Sequence, residues 1–508
     1  MSFLLGIDIG TSGTKTVLFD ELGRIVSSSL SEYTMYQPQN GWAEQDPEDW
    51  WKAVCESVGE VLNNSGVNPS EIKGIGLSGQ MHGAVFLDKE GRVLRRSIIW
   101  CDQRTASECV EITEKVGRKR LIEITANPAL TGFTASKILW VKNNEPQIYD
   151  KVYKILLPKD YIRFKLTGEY ATEVSDASGM QLLDVPNRCW SGEVLEKLGI
   201  DRDLLGEVFE SCYISGKVSG MASEATGLHA GTPVAGGAGD QAACAVGNGI
   251  VREGIVSSVI GTSGVVFAHS DKVTIDPEGR VHTFCHAVPG AWHVMGVTQG
   301  AGLSLKWFRD NFCEAEMREA EAIKTDPYIL MDKKAESSSA GSNGVIYLPY
   351  LMGERTPHLD PDCRGVFFGL SAIHTKNDII RSVMEGVGYS LMDCLSIIKN
   401  MGIDVSEVRA SGGGGKSPLW RQIQADIFGA EITTVSSSEA GALGAALIAG
   451  AGTGIYTNLQ QACDICIKSK TKQLPDAGEN KKYLQYYDLY KRLYESLKGD
   501  FRILAGIS

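Results

Sequence analysis

The segment Gly6-Ile7-Asp8-Ile9-Gly10-Thr11-Ser12-Gly13-Thr14-Lys15 places an acid near the end of an apolar run and follows it at once with glycines, hydroxyls and a cation. Glycines let backbone N–H groups approach phosphate oxygens, and the hydroxyls of Thr11, Ser12 and Thr14 add donors, with Lys15 beside them. Asp8 can hold a hydrated Mg2+ next to them. This is not a Walker loop. Thr14 stands where the glycine before Lys15 should be, and a second apolar run, residues 16–19, follows in place of a helix. A plain Gly-Thr-Ser-Gly hairpin turn is the alternative reading. The segment has a partner, however, because Ile9-Gly10-Thr11-Ser12-Gly13 reappears as Ile260-Gly261-Thr262-Ser263-Gly264, again between two apolar runs. Two such loops facing each other could grip a polyphosphate. A third cluster, Ser411-Gly412-Gly413-Gly414-Gly415-Lys416-Ser417-Pro418, lies between an apolar run and a helical pattern, and a strand, glycine loop and helix start suit a nucleotide approaching Gly413, Gly414 and Lys416.

One acid is placed to do chemistry. In Gly236-Gly237-Ala238-Gly239-Asp240-Gln241-Ala242-Ala243, Asp240 follows a glycine run and precedes a small-residue helix. Phosphoryl transfer asks little covalent work of a protein, and one carboxylate suffices to take the acceptor's proton. Asp240 is the candidate base, and a helix N-cap aspartate fits the same local sequence.

Short apolar runs at residues 4–9, 16–19, 72–77 and 83–87 alternate with helical stretches such as 49–62, which makes the chain α/β. Its 508 residues exceed what one core supports, so at least two domains of roughly 200 to 250 residues are expected. The repeated loop suggests duplicated modules, here placed at 1–247 and 253–508. The segment 333–342, with its Ser-rich centre, reads as a surface loop, and Gly117-Arg118-Lys119-Arg120 as a solvated turn. Tyr483, Tyr486, Tyr487, Tyr490, Leu493, Tyr494 and Leu497 fall at helical spacing and read as the stripe of a docking helix. The run Glu439-Ala440-Gly441-Ala442-Leu443-Gly444-Ala445-Ala446 reads as a small-residue helix that permits close packing.

Fifty Lys and Arg against 62 Asp and Glu leave a net charge of −12, and without a basic face the chain is a poor candidate for nucleic acid or an anionic membrane. The start carries no charged segment ahead of an apolar core, and no run approaches the ~18 apolar residues a bilayer span needs, so a soluble, cytoplasmic protein is expected. Twelve cysteines spread along the chain suit reduced thiols, and Cys463-Asp464-Ile465-Cys466 lacks a second pair at zinc spacing.

With these loops in place the chain resembles the FGGY family of carbohydrate kinases. The first family signature is similar to residues 132–144, Gly132-Phe133-Thr134-Ala135-Ser136-Lys137 and onward. The second is similar to Gly365-Val366-Phe367-Phe368-Gly369-Leu370 followed by Asp378-Ile379-Ile380-Arg381-Ser382-Val383-Met384-Glu385. The resemblance implies two actin-like, ribonuclease H-like domains of the actin, hexokinase and heat-shock ATPase superfamily with a cleft between them. It implies ATP and Mg2+, with Asp8 as the magnesium-associated acid and Asp240 as the base. Gly10 to Thr14 and Gly261, Thr262 and Ser263 would be the phosphate loops, with residues 412–416 on the adenosine side. It also implies a small-molecule sugar as the other substrate, and a homodimer.

Sugar identity is carried by fewer residues. Ser78-Gly79-Gln80-Met81-His82-Gly83 resembles the sugar loop of family members that phosphorylate D-xylulose, with Gln80, Met81 and His82 at the ketose. Read without the family, Met81 and His82 are a core methionine and a satisfied histidine. Trp100-Cys101-Asp102-Gln103-Arg104 resembles a second sugar-side element, in which Trp100, Asp102 and Arg104 would meet the substrate, but its Cys-Asp-Gln departs from the Asn-Asp-Gly of many such members. Ribulose, glycerol and gluconate therefore stay open as acceptors, as does a non-catalytic sugar or nucleotide binder. Gly353-Glu354-Arg355-Thr356-Pro357-His358, with Arg364 beyond it, also resembles a family stretch, and bracing by Arg355 or Arg364 is its reading.

Overall fold

The computed structural model describes residues 2–436 and 439–507, so Met1, where the leader-free reading begins, lies outside it. The first apolar run forms the strand Phe3–Ile9, turns tightly and returns antiparallel as Gly13–Asp20, with Ile9 opposite Thr14. Ile25–Glu32 extends that side. On its other flank Phe3–Ile9 runs parallel to Ile72–Gly79, Asp8 beside Ser78, and Ala238–Gly239 runs parallel to the end of the same strand.

A second sheet repeats the plan. Gly254–Ile260 and Gly264–Ser270 form the hairpin, Trp292–Thr298 extends it, and Val405–Gly412 runs parallel with Gly412 beside Ile260. In both sheets the Ile-Gly-Thr-Ser-Gly copy is the turn of a hairpin whose first strand has a parallel neighbour. The repeat seen in the sequence is thus a repeat of topology, and the molecule has two α/β halves built on mixed sheets. Local signals start the helices: Asp46 caps Pro47–Ser65 by accepting from the Glu48 amide, proline opens it, and Gly66 at φ 64° ends it.

The helix Ala440–Gly452 belongs to the second half of the sequence but lies on the first sheet. It does so through glycines. A Cβ on Gly6 would overlap the carbonyl oxygen of Ala442, and one on Gly76 that of Ala445. On the helix's other side, Gly247 and Gly444 give the same clearance against Ala440 and Ala243, which brings the helix Asp240–Gly247 into backbone contact. Close packing of small residues is therefore what this helix does, as its composition suggests. At the far end, Ala477–Ile507 is one long helix that buries Tyr483, Tyr487, Tyr490, Leu493 and Tyr494 of the expected stripe, while Tyr486 and Leu497 pack against the core half-buried.

Two expectations are corrected. Segment 333–342 is not a surface loop: residues up to Glu336 finish the helix Pro327–Glu336, and Ser338, Ala340 and Ser342 are buried. Arg381 donates to the carbonyls of Ala335 and Ser338, while Glu385 accepts from the Gly341 amide and the Ser342 hydroxyl. A serine-rich stretch can be buried when its polar atoms are paired this way. The basic patch at 118–120 opens the helix Arg118–Thr125, where Arg120 pairs with Glu193 at 2.7 Å.

The glycine contacts make a paired prediction. Gly76→Ala drives a side chain into backbone and is expected to destabilise by about 3 kcal/mol. Gly59→Ala, inside the helix Pro47–Ser65 with nothing within 4 Å of the new Cβ, is expected to stabilise by about 1 kcal/mol. Thermal melting of the two variants beside the wild type checks both signs.

Candidate active site

The carboxyl ends of three adjacent parallel strands gather the first group of residues. Asp8 sits beside Ser78, Gly239 sits beside Gly79, and Gln80 and Asp240 follow directly. Open α/β sheets bind ligands at such ends. The Ser78 hydroxyl donates to Asp8 at 2.7 Å. Burial pushes the Asp8 carboxyl above its ordinary range, the Ser78 bond offsets part of this, and the charge of Glu439 adds to it. Asp240 is pushed up to about 7, first by burial and then by the charge of Asp8, against the opposing bonds from Gln241. The helix Asp240–Gly247 takes Gly239 as its N-cap, so Asp240 is the first helical residue and its carboxylate is not the cap. The Gln241 backbone amide donates to that carboxylate at 2.7 Å.

The site is short of positive charge. Among the described residues no cation lies within ion-pair distance of Asp8 or Asp240, and Lys15, expected at phosphate, is 3.4 Å from Glu439. Acids that raise one another's proton affinity suit a divalent cation nearby. Among the described residues, however, no three acidic, His or Cys side chains stand close enough to ligate one ion directly. The donor set therefore suits a hydrated Mg2+ and not a closed cage.

The first glycine turn is held from below. Tyr33 Oη and Gln80 Nε2 donate to the Gly10 carbonyl at 2.5 and 3.3 Å, and Gln45 Nε2 donates to that of Thr11 at 2.7 Å. Ser12 is exposed at the turn and Thr14 is fully buried beneath it. Gly261, Thr262 and Ser263 are exposed. The third cluster lies against them: a Cβ on Gly412 would stand 2.5 Å from the Ile260 carbonyl oxygen, and one on Gly414 would stand 2.7 Å from the Ile260 side chain. Gly413 and Lys416 face outward, and Ser417 caps the helix Pro418–Phe428 that follows.

The sugar-side residues divide into two groups. Met81 is buried against Gly239, the residue before Asp240, with a Cβ there falling 2.9 Å from Met81 Cγ. His82 holds φ at 70° and donates from Nδ1 to the Gly179 carbonyl at 2.9 Å, which leaves Nε2 as the lone-pair nitrogen. Burial and the neighbouring charge of Lys137 lower its pKa to about 3, so the ring is neutral. Trp100, 45% exposed, reaches from the second element to the first turn, its Nε1 donating to Thr11 Oγ1 at 3.0 Å. Asp102 and Arg104 are turned inward. They pair with each other at 2.7 Å, Arg104 also pairs with Glu44, its guanidinium stacks on Trp42, and Asp102 accepts from the Ala43 amide.

The two signatures have physical work. Buried Lys137 donates to the carbonyls of His82 and Gly132, and Thr134 Oγ1 also donates to the His82 carbonyl, which fixes the strained His82 backbone. Arg381 and Glu385 of the second organise segment 333–342. Arg364 braces its own turn through the Pro361 and Cys363 carbonyls. Arg355 does not: among the described residues its guanidinium has no hydrogen-bond acceptor or ion-pair partner, and its charge acts on His82 and His282. Tyr33, Gln45 and Glu439 were missed as site residues. Only Glu439, an acid opening a small-residue helix, carried a local signal.

Two mixed sheets of like topology, each presenting a glycine turn, with the acids gathered at one strand end, define an ATP-dependent sugar kinase of the actin-like superfamily. Residues 3–247 match the N-terminal domain and residues 256–453 the C-terminal domain of the FGGY family of carbohydrate kinases, and the chain belongs to that family. It is 38% identical over 498 residues to a xylulose kinase of Bacillus subtilis (strain 168), covering 98% of each chain. A gluconokinase of Bacillus licheniformis is 32% identical over 508 residues, 99% of this chain and 98% of that one. The structure of a xylulose kinase from Rhodospirillum rubrum superposes with a TM-score of 0.91 at 28% identity, over 98% of this chain and 100% of the other. Among the described residues no helix is long and apolar enough to cross a membrane.

His82 opens a buried aromatic stack. It packs on Phe133 at 4.7 Å and nears Phe284, which lies beside His282 and His293; His293 stacks on Phe267 at 4.3 Å and continues to His286 and His269. Burial lowers His82, His282 and His293 to about 3. These rings stay neutral in the fold but take protons when unfolded below about pH 6.5. Their contribution is present above that pH and is lost as pH falls toward 3. Among the described residues neither ring nitrogen of His293 has a hydrogen-bond partner, so His293→Phe keeps the stacking and is expected to flatten the acid limb of stability by up to about 1.4 kcal/mol per pH unit. Melting curves from pH 8 to pH 4.5 measure it.

Proposed function

We propose that the chain transfers the γ-phosphoryl group of ATP to the terminal hydroxyl of D-xylulose, giving D-xylulose 5-phosphate, in a cleft between the two sheets. The contact of Met81 with Gly239 carries this reading, because it sets the sugar loop directly against the residue that presents Asp240. The full-length similarity to xylulose kinases supports it.

The half-buried Asp240 carboxylate is the general base. It takes the hydroxyl proton as the sugar oxygen bonds to the γ-phosphorus, the bond to the bridging oxygen breaks, and ADP leaves. Neutral His82 has a lone pair free at Nε2 and accepts a hydrogen bond from a sugar hydroxyl, while Gln80, Met81 and Trp100 shape the pocket around it. Asp8 would hold a hydrated Mg2+, which would offset phosphate charge. The turn at Gly10 to Ser12 and the exposed turn at Gly261 to Ser263 supply backbone donors to the phosphates, and Gly413, Gly414 and Lys416 lie on the nucleotide side. Closure over the sugar excludes water, the competing acceptor.

A second reading has one observation in its favour. The Arg355 guanidinium, without a partner among the described residues and near enough for its charge to act on His82, suits a carboxylate, and a gluconokinase is among the relatives. Mg2+-dependent ADP release with D-xylulose, D-ribulose, L-ribulose, glycerol and gluconate separates the two. The expected result is the highest kcat/KM with D-xylulose, whereas a stronger gluconate signal transfers the assignment to the sugar acid and leaves the kinase standing.

Asp240→Asn is expected to lower kcat by about 10²- to 10⁴-fold. Because the base works only when deprotonated and its pKa is raised to about 7, kcat/KM is expected to fall as pH drops below that value. The Asp8 charge contributes to the rise, so Asp8→Asn should move the acid limb of whatever activity remains to lower pH. A limb that stays in place would remove Asp240 from the base role.

A further inference from the structure

Beneath the run that presents Asp240 lies a charged cluster with no part in the chemistry above. Lys159, Asp160, Arg163, Glu173 and Asp176 are each 0% exposed. Lys159 Nζ is 2.7 Å from Asp160 and 3.3 Å from both Glu173 and Asp176, and Arg163 is 2.7 Å from Asp160. Two cations thus face three carboxylates. Removing such groups from water costs several kcal/mol per ion, and apolar residues of the same volume do as well or better for stability. Nor is the cluster fully satisfied: among the described residues, Asp160 Oδ2 and Arg163 Nε have no hydrogen-bond partner, and the Asp176 oxygens have only the ion pair with Lys159. A half-satisfied network is a poor way to stabilise a core. What it supplies that an apolar core cannot is directional hydrogen bonding.

Those bonds converge on residues 236–239. Arg163 Nη2 donates to the Gly236 carbonyl at 2.5 Å. The Gly237 amide donates to the Ser211 carbonyl at 3.0 Å, and the Ser211 hydroxyl donates to Glu173 at 2.7 Å. The Gly239 amide donates to Ser175 Oγ at 3.1 Å, and that hydroxyl donates to Glu173 at 2.9 Å. The remaining residue, Ala238, is held in the sheet beside Ser78. Gly237 sits at φ 73°, where a side chain is strained, and a Cβ there would overlap the Leu77 carbonyl. The three glycines of the run, which have wide backbone freedom, are thus each tied down from below, and Ala238 is held by the sheet. Asp240 is the next residue.

We propose that the buried cluster positions Asp240, with Ser175 as the link that carries the placement of Glu173 to the Gly239 amide. The inference rests on Asp240 being the base. A base displaced by a fraction of an ångström still lets substrates bind but loses rate, since misplacement of about 1 Å can cost about a hundredfold.

The test uses the full chain, Mg2+-dependent ADP release with whichever sugar the wild type turns over, and Asp240→Asn alongside. Ser175→Ala is expected to lower kcat about tenfold, with KM within about twofold and the acid limb of the kcat profile displaced. Ser175→Thr, which keeps the hydroxyl, is expected to restore most of the rate. A folded Ser175→Ala protein with wild-type kcat and profile overturns the proposal, as does a loss confined to KM. Should Ser175→Ala not fold, Ser211→Ala cuts one arm to Glu173 and is read by the same split between kcat and KM. An active Asp240→Asn overturns the assignment of the base and this inference with it; an inactive Asp240→Asn beside an unaffected Ser175→Ala overturns this inference alone.

Discussion

Backbone against backbone is the contact on which the rest of the molecule depends. The helix Ala440–Gly452 lies between the first sheet and the helix Asp240–Gly247 at a distance only glycine allows, with Gly6 and Gly76 on one side and Gly247 and Gly444 on the other. A helix that close cannot slide or tilt without collision, because the interior is packed like a crystal and main chain does not yield as a side chain does. The consequence reaches the chemistry. The same helix brings Gly441 to Asp8, where a Cβ would overlap the carboxylate, and carries Glu439 into the field of that acid. A segment more than 400 residues along the chain from Asp8 thus fixes what surrounds it.

The gathered acids work against stability. Parallel strands of one sheet end side by side, so residues at their carboxyl ends are brought together whatever their charge, and here that crowds Asp8 and Asp240. Burial raises both first, the charge of Glu439 adds to it at Asp8, and the charge of Asp8 adds to it at Asp240. The fold tolerates this because its stability comes from elsewhere: the tyrosine-lined helix Ala477–Ile507, the aliphatic faces of both sheets and the glycine contacts. A site held in an unfavourable electrostatic state by a rigid frame is ready for a cation and a proton to relieve it.

Much of this was legible in the chain, for a physical reason. Turns, caps and strand ends are local, so Asp8, the two Ile-Gly-Thr-Ser-Gly copies, Asp240 and the cluster at 412–416 announce themselves through neighbours in sequence. The N-cap alternative for Asp240 was a local ambiguity that one residue of register decided, since Gly239 takes the cap. What could not be read is set by partners far away. Segment 333–342 looked solvated because serines usually are, and the Arg381 and Glu385 that bury it lie some 40 residues on. Tyr33 and Gln45 hold the first glycine turn through single side-chain bonds that leave no periodicity behind. The inward pairing of Asp102 with Arg104 has the same origin, because Glu44 and Trp42, which complete it, come from a different part of the chain.

Neutral His82 shows how the frame sets chemistry beyond the acids. A histidine in open water is part cation near neutral pH, donating from both nitrogens and unable to accept. Here the Gly179 carbonyl takes one N–H, while burial and the buried ammonium of Lys137 exclude the second proton. The ring is left with one lone pair in a known tautomer. Burial is the larger cause; Lys137 adds to it while its own hydrogen bonds hold the His82 carbonyl, so one residue of the family signature fixes the strained backbone and helps to keep its neighbour neutral. Discrimination among polyols depends on such single donors and acceptors, since a polar group left unpaired in a closed site costs far more than a lost apolar contact. A lysine of the family signature thereby shapes what His82 can donate and accept through the backbone that it holds.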